Sequence, residues 1–136
     1  MPKLRKYKYH KDGTLPENIK DFILVFGSNT RGAHGKGAAL IAKDLFGAEY
    51  GVGIGLTGRS YAIPTKDRFI RTLPLLNIKH YIEAFKDFTF NRPDVNFWIT
   101  GVGCGLAGYS ASQIAPYFIG CNTNCNFPHT WIQFLH

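Results

Sequence analysis

The residue types able to do chemistry in this chain gather around glycine. Of fifteen glycines in 136 residues, nine fall between Gly27 and Gly58 and four between Gly101 and Gly108. Gly103-x-Gly105-x-x-Gly108 follows an apolar run of strand length and precedes a helix-start signal. In that context free backbone N–H groups and the dipole of a helix N-terminus attract phosphate. Gly32-x-x-Gly35-x-Gly37 stands in the same context, after the apolar run Phe22–Phe26 and before an Ala-rich stretch. In an α/β sheet both loops would lie at the carboxyl edge, on either side of one crevice, which is the usual ligand position. The competing reading is that the glycines serve only tight turns and close packing.

Two familiar phosphate motifs are excluded by what surrounds these loops. A dinucleotide-binding unit places an acid about twenty residues beyond its glycines, whereas no Asp or Glu follows Asp94. A Walker A loop needs Gly-Lys-Ser/Thr, and here Gly35-Lys36 runs into Gly37. A third glycine segment, Gly51 to Ser60, agrees with Gly101 to Ser110 at seven of ten positions. It lies between a helix and a strand, so it is expected to be a pocket wall or a connection rather than another phosphate site.

Several polar side chains accompany the loops. His34 can act as a general acid/base or a phosphate donor, and Lys36 can neutralise phosphate; either can equally be an exposed loop residue. Asp67, after Thr65-Lys66, is the best available carboxylate for orienting a water or a ribose hydroxyl, unless it belongs to a solvated turn. Tyr109 can stack on a base or a ribose; Tyr61, inside an apolar strand, reads better as core. Cys104 sits where a helix N-terminus would stabilise a thiolate, but no Cys–His pairing is visible. Cys121-x-x-x-Cys125-x-x-x-His129 lacks the second half of a zinc pattern, so a loop with two thiols and no metal is expected.

Strands and helices alternate around these residues. Asp21–Phe26 is a buried strand ending at Gly27-Ser28-Asn29. Gly37–Phe46 is a helix stopped by Gly47. Gly51–Gly58 is too rich in glycine for a regular element, and Ser60–Ile63 is a short strand closed by Pro64. Asn77 caps a second helix with Ile78, Tyr81, Ile82 and Phe85 on one apolar face. Val95–Thr100 is a strand, Ser110-x-x-Gln113 is a capping box opening a third helix that Pro116 shortens, and Thr130–Leu135 is a last strand. The class is therefore α/β, with a mixed, mostly parallel sheet flanked by helices.

Composition bounds the remaining possibilities. The chain is 45% hydrophobic and 18% charged, which suits one compact core. No apolar run reaches the about 18 residues of a membrane span, and Met1–Gly13 is basic without the apolar stretch of a secretory signal, so a cytoplasmic protein is expected. Three cysteines, an odd number without framework spacing, read as reduced thiols. The net charge of +7 suggests a polyanionic partner, but residues 1–20 hold six Lys/Arg against Asp12 and Glu17, more than half of the excess. That basic N-terminal arm reads as an edge strand, Tyr7 and Tyr9 alternating with Lys6 and Lys8, or as a nucleic-acid contact. A nucleic-acid contact predicts steep salt dependence that disappears when residues 1–11 are removed. Residues 21–136 form the single domain, and nothing in the sequence fixes an oligomeric state.

Taken in order, Val25-Phe-Gly-Ser-Asn29, His34-Gly-x-Gly-Ala-Ala39, Ser60-Tyr-Ala-Ile-Pro-Thr-Lys66 and Gly103-Cys-Gly-Leu-Ala-Gly-Tyr109 resemble the macro domain, and most closely a phage-associated macro-like subfamily, over about residues 21–120. The resemblance implies a three-layer macro-like fold and a protein that binds ADP-ribose or a related nucleotide, without a cofactor. It places Gly27, Ser28 and Asn29 at the strand end, with Asn29 facing the distal ribose. Gly35, Lys36 and Gly37 would lie near that ribose and the phosphates, Gly103, Cys104, Gly105, Leu106 and Ala107 would wrap the diphosphate, and Gly108 and Tyr109 would complete the ligand-binding loop. Some members hydrolyse ADP-ribosyl or ribose-linked bonds; here Asn29 would orient the sugar while His34 or Asp67 handles a proton. The sequence departs from the family pattern where Phe26 replaces the first Asn and Ala33-His34 interrupts the glycines. Three functions stay open: a hydrolase, a non-catalytic binder that sequesters or senses a nucleotide-derived signal, and a nucleic-acid-binding accessory protein.

Overall fold

A computed structural model describes residues 6–135; Lys3 and Arg5 of the basic arm lie outside them. Six strands form one sheet: β1 (Lys8–His10), β2 (Phe22–Asn29), β3 (Gly55–Thr57), β4 (Ser60–Lys66), β5 (Asn96–Ile99) and β6 (Cys125–Pro128). Their order is β1-β6-β5-β2-β4-β3, and every neighbouring pair is parallel except β3 with β4. The helices are α1 (Gly37–Phe46), α2 (Leu75–Asn91) and the short α3 (Ala111–Ile114).

β2 occupies the centre because both of its faces are apolar, the pattern of a strand covered on two sides. Leu24 and Phe26 face α1 and pack with Ala39, Ala42 and Phe46. Ile23 and Val25 face the opposite way, into a larger core with Ile78, Ile82 and Phe85 of α2. The result is a three-layer α/β domain with a mixed, mostly parallel sheet. Tyr61 is buried in the second core, with ring centroids 5.0 Å from Phe85 and 5.1 Å from Phe88. Phe85 also meets the rings of Phe97 and Phe118 edge-on, so one aromatic side chain joins α2, β5 and the segment after α3.

Parallel strands put all their carboxyl ends at one edge, and there the glycine loops follow β2 and β5. Gly47 ends α1 in the left-handed conformation, φ 73°, and the Ser110 N–H donates to the Gln113 side chain at 2.9 Å at the start of α3. β1 pairs with β6 at the sheet edge, where His10 stacks on Trp98 at 4.0 Å and the Asp12 carboxylate accepts the N–H of Thr130 at 3.1 Å.

Five elements differ from the sequence expectation, most of them because tertiary contact outweighs local pattern. The Thr130–Leu135 segment is not a strand: His129–Phe134 is a 3₁₀ helix, which lays Trp131 against Phe118 and Phe127. The strand is instead Cys125–Pro128, fully buried, so Cys125 lies in the sheet rather than in a loop. α2 begins at Leu75, just after Pro74, whose fixed φ suits a helix entry, and Asn77 is already inside it. β4 continues through Pro64 to Lys66, because β3 pairs only as far as Ala62 and a missing N–H is tolerated on an edge. The glycine-rich stretch before it supplies β3, closed onto β4 by a tight turn at Gly58, φ 58°.

Phe85→Ala should destabilise the protein by about 3–5 kcal/mol, the range for removing a buried aromatic ring. Chemical denaturation with an unchanged m-value would read this directly.

Candidate functional site

A cavity of about 570 Å³ opens at the carboxyl edge between the loops after β2 and β5. Gly27, Ser28 and Asn29 line it from the end of β2, and Gly35, Lys36 and Gly37 from the first glycine loop. Gly103, Gly105, Leu106 and Ala107 line it from the second. Cys104, Gly108, Tyr109, His34 and Asp67 are not among the lining residues. Tyr109 instead donates its hydroxyl to the Leu73 carbonyl at 2.6 Å.

Backbone donors dominate this cavity. Lys36, the residue before α1, provides no side-chain cap, and the N–H groups of Gly37, Ala38 and Ala39 at the helix start have no acceptor among the described residues. Across the cavity the N–H groups of Gly105, Leu106 and Ala107 also make no hydrogen bond to the described residues, while those of Cys104 and Gly108 close turns onto Gly101 and Gly105. Lys36 and Lys66 are the titratable side chains on the lining, and no carboxylate is present there. Unpaired N–H groups, a helix N-terminus and two ammonium groups make an anion-attracting site.

The floor is fixed by hydroxyls that donate into the backbone. Thr100 Oγ1 donates to the Val25 carbonyl at 2.7 Å and Thr65 Oγ1 to the Ser28 carbonyl at 3.2 Å. Gly27 is bare because a Cβ there would lie 3.3 Å from Thr65 Oγ1 and 3.4 Å from the Gly103 nitrogen. Asn29 is buried, and its amide is already paired with Ala33, donating to the carbonyl at 2.9 Å and accepting the N–H at 3.0 Å. One amide hydrogen and one oxygen lone pair remain for a ligand.

The first loop takes its shape from the Gly51–Gly58 segment, which lies behind it rather than on the cavity. A Cβ on Gly53 would fall 2.0 Å from the Asn29 carbonyl oxygen, and one on Gly32, at φ 76°, would fall 2.3 Å from the Gly51 carbonyl carbon. Ser28 donates its hydroxyl to the Gly53 carbonyl, and the Gly51 N–H donates to Gly32 at 2.9 Å. His34 belongs to this packing. It is 1% exposed, and its Nε2 lies 3.1 Å from both the Glu49 and Val52 carbonyls, so the Nε2–H donates there and ties loop to segment. Its Nδ1 is buried without a partner, and its ring meets Phe26 edge-on.

Asp67 is also engaged, within the turn that follows β4. Its Oδ1 accepts the N–H groups of Phe69 at 2.8 Å and Arg71 at 3.0 Å, and Oδ2 pairs with the Arg71 guanidinium at 3.4 Å. The Arg71 N–H, and then the Phe69 N–H and the Arg71 charge, hold this carboxyl below the usual aspartate range. Burial pushes the half-buried Cys104 thiol up to about 11, so a thiolate is not stabilised there. Burial and the neighbouring Cys125 likewise push Cys121 up. Among the described residues no group of His, Cys, Asp and Glu has a metal-binding arrangement.

Sequence reasoning missed Ala38, Ala39, Ile70 and Thr100 on the lining. Thr100 follows a parallel strand, which is a usable signal; Ala38 and Ala39 follow from the helix start. Ile70 has no such signal, because its place depends on a backbone φ of 64°.

The sequence matches no protein-family model and no curated protein. The folded chain is similar to the macrodomain of Thermus aquaticus DarG, with a TM-score of 0.65 and 19% identity over 90% of this chain and 97% of that one. It is also similar to Thermosipho africanus DarTG in complex with ADP-ribose, with a TM-score of 0.54 and 18% identity over 79% of this chain. The match spans 37% of that longer chain. At these identities the likeness establishes the fold, and the fold is that of a macrodomain.

Gly53→Ala and Gly32→Ala should each destabilise the protein by about 1–3 kcal/mol, the cost of overpacking a closed contact. Gly35→Ala should leave stability within about 0.5 kcal/mol, because a Cβ there meets nothing within 4 Å. Denaturation midpoints of the three variants would test this contrast.

Proposed function

We propose that this protein binds an ADP-ribose-type nucleotide in the cavity between its two glycine loops. The observation that carries the reading is the pair of unpartnered backbone N–H sets, Gly37–Ala39 on one side and Gly105–Ala107 on the other, facing one cavity without a carboxylate. Such donors suit a diphosphate, whose charge is spread over several oxygens and is met by dipoles and two lysines. The cavity volume, about 570 Å³, lies within the range for small-molecule sites. The likeness to a protein solved with ADP-ribose supports the same ligand class.

Binding without turnover is the form of this function that the geometry favours. A hydrolase needs a group within hydrogen-bond reach of the proton it moves. His34 is committed to the Glu49 and Val52 carbonyls and Asp67 to its own turn, and neither lines the cavity. Asn29 and the loop amides would hold and orient the nucleotide, and the protein would sequester or sense it.

ADP-ribose at a hundredfold excess over its Kd should raise the unfolding free energy by about 2.7 kcal/mol, seen as a higher Tm. A flat response to ADP-ribose, ADP and NAD would overturn the reading. Gly105→Val, which adds bulk where a Cβ has open space on the lining, should abolish the shift while leaving the ligand-free Tm nearly unchanged. Incubation with ADP-ribosylated substrates should return them intact; released ADP-ribose would show hydrolysis instead.

A further inference from the structure

We propose that Asp67 is a positioning residue for the cavity. Its carboxylate holds the turn 67–71 closed, and the turn fixes Ile70 as an apolar wall of the ligand site. This rests on the binding reading above and assigns that site one of its specificity residues.

Ile70 is the non-glycine residue with positive φ among those described, at 64°. A β-branched side chain is strongly disfavoured in that region, and such strain persists only where neighbours over-determine it. Burial does not do so here, since Ile70 is 44% exposed. The hydrogen bonds of the turn do. The Ile70 N–H donates to the Asp67 carbonyl at 3.0 Å and the Asp67 N–H to the Arg71 carbonyl at 2.8 Å. The Asp67 carboxylate then captures the N–H groups on either side of Ile70, those of Phe69 and Arg71. Every N–H from Phe69 to Arg71 is thereby satisfied by Asp67.

The turn is also fastened at its base and across the cavity. The Leu73 N–H donates to the Thr65 carbonyl at 2.8 Å, Lys66 and Thr72 form a β-bridge, and Thr72 Oγ1 donates to the Ala107 carbonyl at 3.1 Å. Ala107 lies on the second glycine loop and Ile70 on the cavity, so the turn and that loop form one tied rim. Phe69 stands outside this rim, 61% exposed, with the guanidiniums of Arg68 and Arg71 at 4.7 and 4.9 Å from its ring centre. The side chain given to the cavity is thus the aliphatic one. It meets an uncharged part of the ligand, a sugar or base face, while the loop amides meet phosphate.

An exposed Asp–Arg pair would by itself contribute little. Two further observables separate positioning from that weak role: the amide protection of Phe69 and Arg71, and the coupling between positions 67 and 70. ADP-ribose affinity by calorimetry and amide exchange by NMR would be measured for wild type, Asp67→Ala, Asp67→Asn, Ile70→Gly and the Asp67→Ala/Ile70→Gly double variant. Asp67→Ala and Ile70→Gly should each weaken binding about tenfold, and the double variant should be no weaker than either, because both remove the same wall. Asp67→Asn retains an oxygen at Oδ1 and should restore most of the affinity. Phe69 and Arg71 protection should be lost in Asp67→Ala and kept in Ile70→Gly. Multiplicative losses in the double variant, or unchanged protection in Asp67→Ala, would overturn the proposal. If wild type binds no ADP-ribose, the binding reading falls, and Ile70's role with it; the amide protection still decides whether Asp67 holds the turn.

Discussion

Backbone lying against backbone is the constraint on which the rest of this molecule depends. Gly53 touches the Asn29 carbonyl and Gly32 touches Gly51, at separations that no side chain could share. That contact sets the path of the chain between β2 and α1. It thereby sets where α1 begins and where its unpaired N–H groups open. Ser28 and His34 lock the two segments by donating to carbonyls of the rear one, so polar side chains close a contact that bare backbone makes possible. The anion-attracting character of the cavity is thus a by-product of packing, since a helix that starts abruptly at a cavity wall leaves its first donors unmatched.

Much of this was readable from residue order. An apolar run that stops at Gly27-Ser28-Asn29, a glycine loop, and a helix stopped by Gly47 together define a β-loop-α unit, and the structure contains it. The segment before Gly101 follows the same logic. The glycine-rich stretch at 51–58 was harder, because its letters copy those of 101–108 while its neighbours differ. Its real partner is the first loop, a contact between segments whose proximity only the folded sheet establishes. At the carboxyl end, Thr-Trp-Ile has strand-forming composition, yet Trp131 finds its burial against Phe118 and Phe127 by entering a 3₁₀ helix.

The candidate site divides along similar lines. Residues that contribute backbone, such as Gly35, Gly37, Gly103 and Gly105, could be placed from sequence because glycine itself signals where backbone must be bare. Residues expected to contribute side-chain chemistry could not. A histidine in a glycine loop reads as exposed until its ring is seen under the loop, and an aspartate after a strand reads as free until its turn closes around it. Both are polar groups whose hydrogen-bonding capacity is taken up by main chain, and sequence carries no mark of that. Ile70 is a further case, since nothing in its type announces a left-handed backbone.

The pairing of β1 with β6 has a consequence for how the chain reaches this state. The Asp12–Thr130 contact closes a separation of 118 residues, and His10 reaches past β6 to Trp98 and Ile99 of β5. Among the described strands β1 pairs with β6 alone, so its ladder forms only when segments more than a hundred residues apart meet, Lys8 with Asn126. Such long-range closure belongs to slow-folding topologies. The sheet thus joins its earliest described strand directly to its latest.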